Sequence, residues 1–392
     1  MRYVFTDLLV LCMTIASFGI KVNYKYEWNY ADFIWESNEQ KEEAINSGNY
    51  NRSACVLFDV DKAKDGRIFI TAWKELGPGA PASLATITDK IGPGGPLLRP
   101  YPDWSWHNST CDGIVSVTRV HIRCNHIFVL DSGSIGPNQI CNPKLLIFNL
   151  KDDTLVKTIY IPIDIASNAT GSGLLAVPFV YIPGECTHFL DKMIIFIADV
   201  RGKGLVVYDS SVKSMCRVES DYMIPTKKVV SISNKKFPYD GGVFGTVTLY
   251  DELYYVTTPG TIIYKIKIES LLKCTNKKKT NELTKVAIKI PSDSAQIASA
   301  GHSIFYGDAD GNAILGTNVF KKSGANTIKL AQNDEKLQGI SSLKTPYYWN
   351  KLIGLSDRYH LFALGIANLK DINFRYFEMD LAEIQKKMNS IS

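Results

Sequence analysis

The sequence predicts an all-β protein, a six-bladed β-propeller, and three observations carry that prediction. The first is self-similarity: a β-rich apolar run, a small or acidic break and a second apolar run recur six times. The segments are Arg67–Gly77, His126–Gly133, Met193–Asp209, Leu253–Ile268, Ser303–Gly316 and Leu352–Gly365. Their breaks fall near Ala72, Asp131, Asp199, Thr257, Asp308 and Ser356, with successive gaps of 59, 68, 58, 51 and 48 residues. The second is that such a gap holds four short strands and their loops, which is one propeller blade. The third is composition: the runs are rich in Val, Ile, Tyr and Phe and bounded by Gly, Pro, Asn and Asp. Asp65-Gly66 and Asp310-Gly311 read as hairpin turns. Helical periodicity is confined to the neighbourhood of residues 36–47 and 380–390. A solenoid would need shorter, more regular repeats with caps.

Residues 1–19 are expected to be a secretory signal peptide and residues 20–392 a single propeller domain. Arg2 supplies the positive start, Leu8 to Phe18 the apolar stretch, and Ser17-Phe18-Gly19 the small residues a signal peptidase reads, with cleavage after Gly19. No later stretch approaches the ~20 apolar residues a membrane helix needs. Sequons at Asn51, Asn108 and Asn168 fit passage through the secretory route.

Of eight cysteines, Cys12 leaves with the signal, and most of the remaining seven should pair in an oxidising compartment, leaving at least one free. On a propeller, Cys124 and Cys186 sit at similar turns of successive blades and form one plausible pair. Cys216 and Cys274 follow the third strands of adjacent blades and form a second. Cys124 and Cys141 cannot pair, because a strand of roughly 20 Å separates them. The pairing of the others stays open. No cysteine or histidine spacing suits a metal, and no cofactor is expected.

The formal charge of +5 is mild, and Lys277-Lys278-Lys279 is the only dense basic run. It reads as a solvated loop, and nothing resembles a nucleic-acid-binding surface. Asp308-Ala309-Asp310-Gly311-Asn312 resembles the start of a calcium loop, but Val319 stands where a bidentate Glu is required, so it reads as a hairpin. The six histidines make no HxxxH pattern, and Ser132-Gly133-Ser134 is not a nucleophile elbow. Gly92-Pro93-Gly94-Gly95-Pro96 precedes no helix and cradles no phosphate. The aromatic run Pro100–Trp106 reads as packing or a loop clasp, with a stacking platform for a ligand as the other reading.

Loops at one end of a propeller form a cup in which small ligands bind. The last repeat places Ser356-Asp357-Arg358-Tyr359 there. If the strand continues, Asp357 and Tyr359 share one face and Arg358 points to the other, so Asp357 and Arg358 do not pair. A carboxylate beside an aromatic ring suits a primary ammonium on an aromatic stem.

Long motifs in register resemble the insect yellow/major royal jelly protein family over nearly the whole mature chain, closest to yellow-related proteins of sand-fly saliva. They include residues 61–84, 95–107, 111–133 and 141–150, then FIADVRGKGLVVYD, LQGISSLK at 337–344, LSDRY and INFRYF at 372–377. The resemblance implies a six-bladed propeller. For the salivary members it implies a monomeric, non-enzymatic secreted protein that binds serotonin, catecholamines and histamine and so counters haemostasis and inflammation. There the amine is held by an Asn two residues before an aromatic, with a Thr in the preceding segment. The matching positions are Asp357 and Tyr359, with Ser341 or Ser342 in place of the Thr. Asp for Asn exchanges a neutral acceptor for a charged one and predicts a changed ranking among amines. Two other functions compete: a dopachrome-converting enzyme of melanin formation, and a nutritive or structural protein with no ligand.

Overall fold

The computed structural model describes residues 19–108, 110–321 and 326–390, so most of the expected signal peptide lies outside the described residues. Six four-stranded antiparallel sheets follow one another around a ring. Blade 1 is Val56–Lys62, Ile68–Trp73, Leu84–Gly92 and Gly95–Pro100. Blade 2 is Val117–Arg123, His126–Asp131, Lys144–Asn149 and Thr154–Tyr160, and blade 3 is Leu175–Tyr181, Ile194–Asp199, Gly204–Asp209 and Ser214–Glu219. Blade 4 is Val243–Leu249, Glu252–Thr257, Ile262–Lys267 and Lys285–Lys289, and blade 5 is Ile297–Ala300, Ser303–Asp308, Ala313–Asn318 and Thr327–Gln332. Blade 6 takes three strands from the C-terminal end, Gly339–Lys344, Lys351–Asp357 and Phe374–Asp380, and its outermost strand, Asn23–Trp28, from the N-terminal end. The first strands of neighbouring blades touch all the way round, which makes them the wall of the axial channel.

All six repeat breaks lie in, or at the end of, a second strand. These strands are sandwiched between neighbouring blades, so Ile68–Trp73 and Ile194–Asp199 are buried at every residue and read as continuous apolar runs. Outer strands such as Thr154–Tyr160 are largely exposed and carry a weaker signal. Blade 6 closes the ring by pairing Tyr24 with Phe377 and Trp28 with Phe374. Trp28 is fully buried and its indole donates to the Pro96 carbonyl at 2.7 Å, which ties the closing strand to blade 1.

Three disulfides staple the rim: Cys124–Cys186 and Cys216–Cys274, as the sequence suggested, and Cys111–Cys141, which it left open. Cys216 lies within a fourth strand rather than after a third one. Cys55 is free and buried. The basic run is not a loop, because Asn276 caps a short helix, Lys277–Leu283, and accepts from the Lys279 amide. The helices expected near both ends are present, at Asn38–Asn46 and Leu381–Asn389. Trp104, in the aromatic run, stacks on Trp35 at 5.0 Å and donates to the Ile34 carbonyl, so the run clasps the N-terminal segment, away from the cup. Among the described residues no helix is long and apolar enough to cross a membrane.

Candidate functional site

A cavity of about 610 Å³, counting its open mouth, occupies the end of the channel where the second strands finish. Its wall is aromatic because four parts of the chain turn rings inward. Phe58 comes from the first strand of blade 1, Trp73 from its second, Phe244 from blade 4, and Tyr359 follows blade 6. Phe58 lies 4.9 Å from Trp73, 5.7 Å from Phe244 and 6.3 Å from Tyr359. A hairpin between blades 3 and 4, Val229–Ile232 with Lys235–Pro238, leans over the mouth and brings Val230, Ile232 and Phe237 to the lining. It is tied to blade 5, where the Ser231 hydroxyl and the Asn234 amide both donate to Asp310 Oδ1.

Arg119 lies beneath the cup, behind two of its rings. It is buried, with its guanidinium over the Phe58 and Phe244 rings. It donates to Asp59, to the Ser341 carbonyl at 2.6 Å and to the Ala295 carbonyl. The far side of Arg119 opens into a separate polar cavity that includes Asp61, His121 and Lys344.

Asp357 is 4% exposed and lines the cup. Its Oδ1 accepts the Tyr359 amide at 2.9 Å, while Oδ2 has no hydrogen-bond partner among the described residues. Burial pushes the carboxyl up to about 6, against the opposing pull of the Ser341 hydroxyl, the Tyr359 amide and the Arg119 guanidinium. Arg358 turns away to Asp371, at 3.4 Å. Asp293, the other carboxylate of the lining, has both oxygens occupied by the backbone amides of Gly260 and Ser231.

The structure brings Asp357, Tyr359 and Ser341 together at the cup, but not by the geometry expected. The strand ends at Asp357 and Tyr359 opens a short helix, Tyr359–Ala363, so the two do not share a strand face. The carboxylate capping the Tyr359 amide makes that turn. Ser342 does not line the cup. A bulge interrupts the strand's pairing between Ile340 and Ser342, and the Ser342 hydroxyl turns to Asp59, donating at 2.7 Å. Of the sequon asparagines, Asn51 and Asn108 are exposed, and Asn168 is half-buried with its amide nitrogen directed to the Gly202 carbonyl.

Glu75 escaped the sequence reading. Its Oε2 accepts the Tyr359 hydroxyl at 2.6 Å, behind the ring that lines the cup. Burial pushes its carboxyl up to about 7, opposed by the Tyr359 and Tyr239 hydroxyls and the Arg201 guanidinium. The available signal was an acid two residues past the Trp that ends the second strand of blade 1.

Fold and site together define a class of molecule: a six-bladed propeller with an aromatic-walled cup holding one open carboxylate. The family model "Major royal jelly protein" matches residues 115–389. The chain belongs to the major royal jelly protein family. It is 33% identical over 384 residues to major royal jelly protein 1 of Apis mellifera, covering 92% of this chain and 87% of that one. To major royal jelly protein 9 of the same species it is 29% identical over 397 residues, covering 93% and 90%. Among solved structures, an aldose sugar dehydrogenase of Streptomyces coelicolor superposes over 84% of this chain and 96% of that one, with a TM-score of 0.45 and 11% identity. That likeness is too low to inform the site.

Proposed function

We propose that this is a secreted, non-enzymatic protein of saliva that sequesters biogenic amines in the cup, and so counters the haemostatic and inflammatory signals those amines carry. The carrying observation is Asp357: a buried carboxylate with one oxygen unpartnered, facing a cavity walled by Phe58, Trp73, Phe244 and Tyr359. A primary ammonium satisfies the open oxygen, and its aromatic stem fills the ring-lined space. Ser341 is the hydroxyl at hand for a second polar contact. Serotonin, catecholamines and histamine share this chemistry. Three disulfides fit an oxidising, extracellular setting.

Titration calorimetry with serotonin, noradrenaline and histamine tests the reading. Asp357→Ala should weaken every amine that binds by about 10- to 100-fold, the range of a charge-assisted hydrogen bond of about 1.5–3 kcal/mol. Unchanged affinity removes the site assignment, and no heat from any amine removes the function.

Glu75 favours a second reading. Two carboxyl groups with raised pKa values flank Tyr359, which is the kind of acid–base pair that a dopachrome-converting enzyme would use. Loss of dopachrome colour beyond one equivalent of protein would favour the enzyme, and stoichiometric loss the binder.

A further inference from the structure

A second cavity lies outside the channel, between the N-terminal helix Asn38–Asn46 and the loops that join blades 1 and 2, and encloses about 1230 Å³ with its open side counted. Its floor holds Lys74, which is only 7% exposed. The chain places it there by alternation: Trp73 turns into the cup, so Lys74 turns outward, away from the axis. Its ammonium makes no hydrogen bond and no ion pair among the described residues. Lys144, the other buried lysine nearby, instead donates to the Cys111 carbonyl and lies 3.8 Å from Asp131. Burial lowers the Lys74 pKa, and the Asp131 carboxylate opposes this only from beyond contact distance, so the ammonium has no anion against it.

His107 lines the same cavity. Its Nε2 meets the Tyr101 carbonyl at 3.0 Å and therefore carries the proton, which leaves Nδ1 as an acceptor. That Nδ1 is buried and without a partner. One wall is the stacked pair Trp35 and Trp104, at 5.0 Å with 22° between planes. Both indole N–H groups are used, on Asp32 and on the Ile34 carbonyl, so the ring faces are what remains for contact. Glu36 and Glu43 stand among the lining residues, and their charge disfavours a polyanion.

We propose that this groove binds a small monocarboxylic acid carried on a flat ring. Its carboxylate would meet Lys74, a donor on the ligand would reach His107 Nδ1, and the ring would lie along the Trp35–Trp104 wall. The site is separate from the amine cup, and its buried charge is the Lys74 ammonium where the cup's is the Asp357 carboxylate.

The experiment is calorimetric titration of the full mature chain with benzoate, 4-hydroxybenzoate and indole-3-acetate, with benzamide as the uncharged control. The carboxylates should bind and benzamide should bind at least about tenfold more weakly, as expected when a charge-assisted contact is lost. Lys74→Met, which keeps the length of the stem and removes the buried charge, should weaken the carboxylates about thirtyfold and melt no lower than the wild type. Trp104→Phe, which keeps an aromatic face, should weaken them only a fewfold, and Asp357→Asn should leave them unchanged. The proposal is overturned if the wild type binds none of the acids at about 10 mM, weaker than any useful site. It is equally overturned if benzamide matches benzoate, or if Lys74→Met binds as the wild type does.

Discussion

Blades 2, 3, 5 and 6 each end their second strand on an aspartate, and the carboxylates meet different fates; that of blade 5, Asp308, accepts the Ser292 hydroxyl and the Gly311 amide. Asp131 accepts the amides of Val115, Ser116 and Gly133. Asp199 accepts the amides of Leu174 and Gly202 and pairs with Arg217 at 2.8 Å. In both blades the carboxylate staples the chain entering the first strand to the end of the second. Of backbone amides, Asp357 keeps only the one two residues on, from Tyr359. The entering chain of blade 6 directs its Leu337 amide to Asn333 instead, and Gly339 leaves the carboxylate uncrowded, since a Cβ there would stand 2.8 Å from Asp357 Oδ1. A position that is structural in blades 2, 3 and 5 is thus left open in blade 6, and the open one faces the cup. A binding site here is a staple with its partners withdrawn.

Substitutions at equivalent positions should therefore have opposite signs. The largest effect is expected at Asp199. Asp199→Ala removes one of the two carboxylates that Arg217 pairs with, leaving Glu219 at 2.7 Å, and orphans two buried amides, so it should cost about 2–4 kcal/mol. A fall in melting temperature checks it, and a neutral result would break the contrast between staple and site. Asp357→Asn should stabilise. The folded carboxyl titrates near 6, above the ordinary ~3.9, so the native state holds its proton more tightly than the unfolded chain does. Its ionisation then penalises the fold fully above pH 6 and not at all below the ordinary value. The asparagine should melt higher by about 2 kcal/mol of stability at pH 7, with the gain fading as pH falls toward 4.

The same proton opposes the proposed ligand. An ammonium needs the carboxylate ionised, so amine affinity should be flat at neutral pH and fall about tenfold per unit below about 6. Calorimetry at pH 7.5, 6 and 5 reads this directly. In Asp357→Asn the residual affinity should lose that dependence, and a dependence that persists would place the titrating group elsewhere, with Glu75 the first alternative.

How much of this the sequence could reveal follows from periodicity. Six second strands are buried between blades, so six apolar runs with breaks at their ends mark six blades. Asp357 and Tyr359 were legible because an acid and a ring interrupt such a run. Their geometry was not, because the helix starting at Tyr359 depends on a bond from the Asp357 side chain to its own downstream backbone. Which aspartates are staples was illegible too, since Asp131 and Asp357 read alike until the amides of the entering chain are placed. Cys111–Cys141 joins two irregular segments that carry no period. Glu75 and the Val229–Pro238 hairpin reach the cup only through the closed ring. Lys74 reads as an ordinary surface lysine until its neighbour Trp73 is fixed on the axial side.

The smallest expected effect separates two neighbouring hydroxyls. Ser342 donates to Asp59, which also receives Arg119 and Lys344, so Ser342→Ala removes one bond from a buried charge cluster. It should cost about 1 kcal/mol of stability and leave amine affinity alone, because the cluster lies beneath the cup. Ser341→Ala should do the reverse. Its hydroxyl makes a long bond of 3.5 Å to the Leu355 carbonyl and otherwise acts on the Asp357 carboxyl, so little stability is at stake, while a donor beside Asp357 is lost from the lining. A fewfold loss of amine affinity with an unchanged melting temperature is expected. If the two alanine variants exchanged these signatures, Ser342 and not Ser341 would be the hydroxyl that meets the ligand, and the placement of Ser341 in the cup and Ser342 beneath it would be wrong.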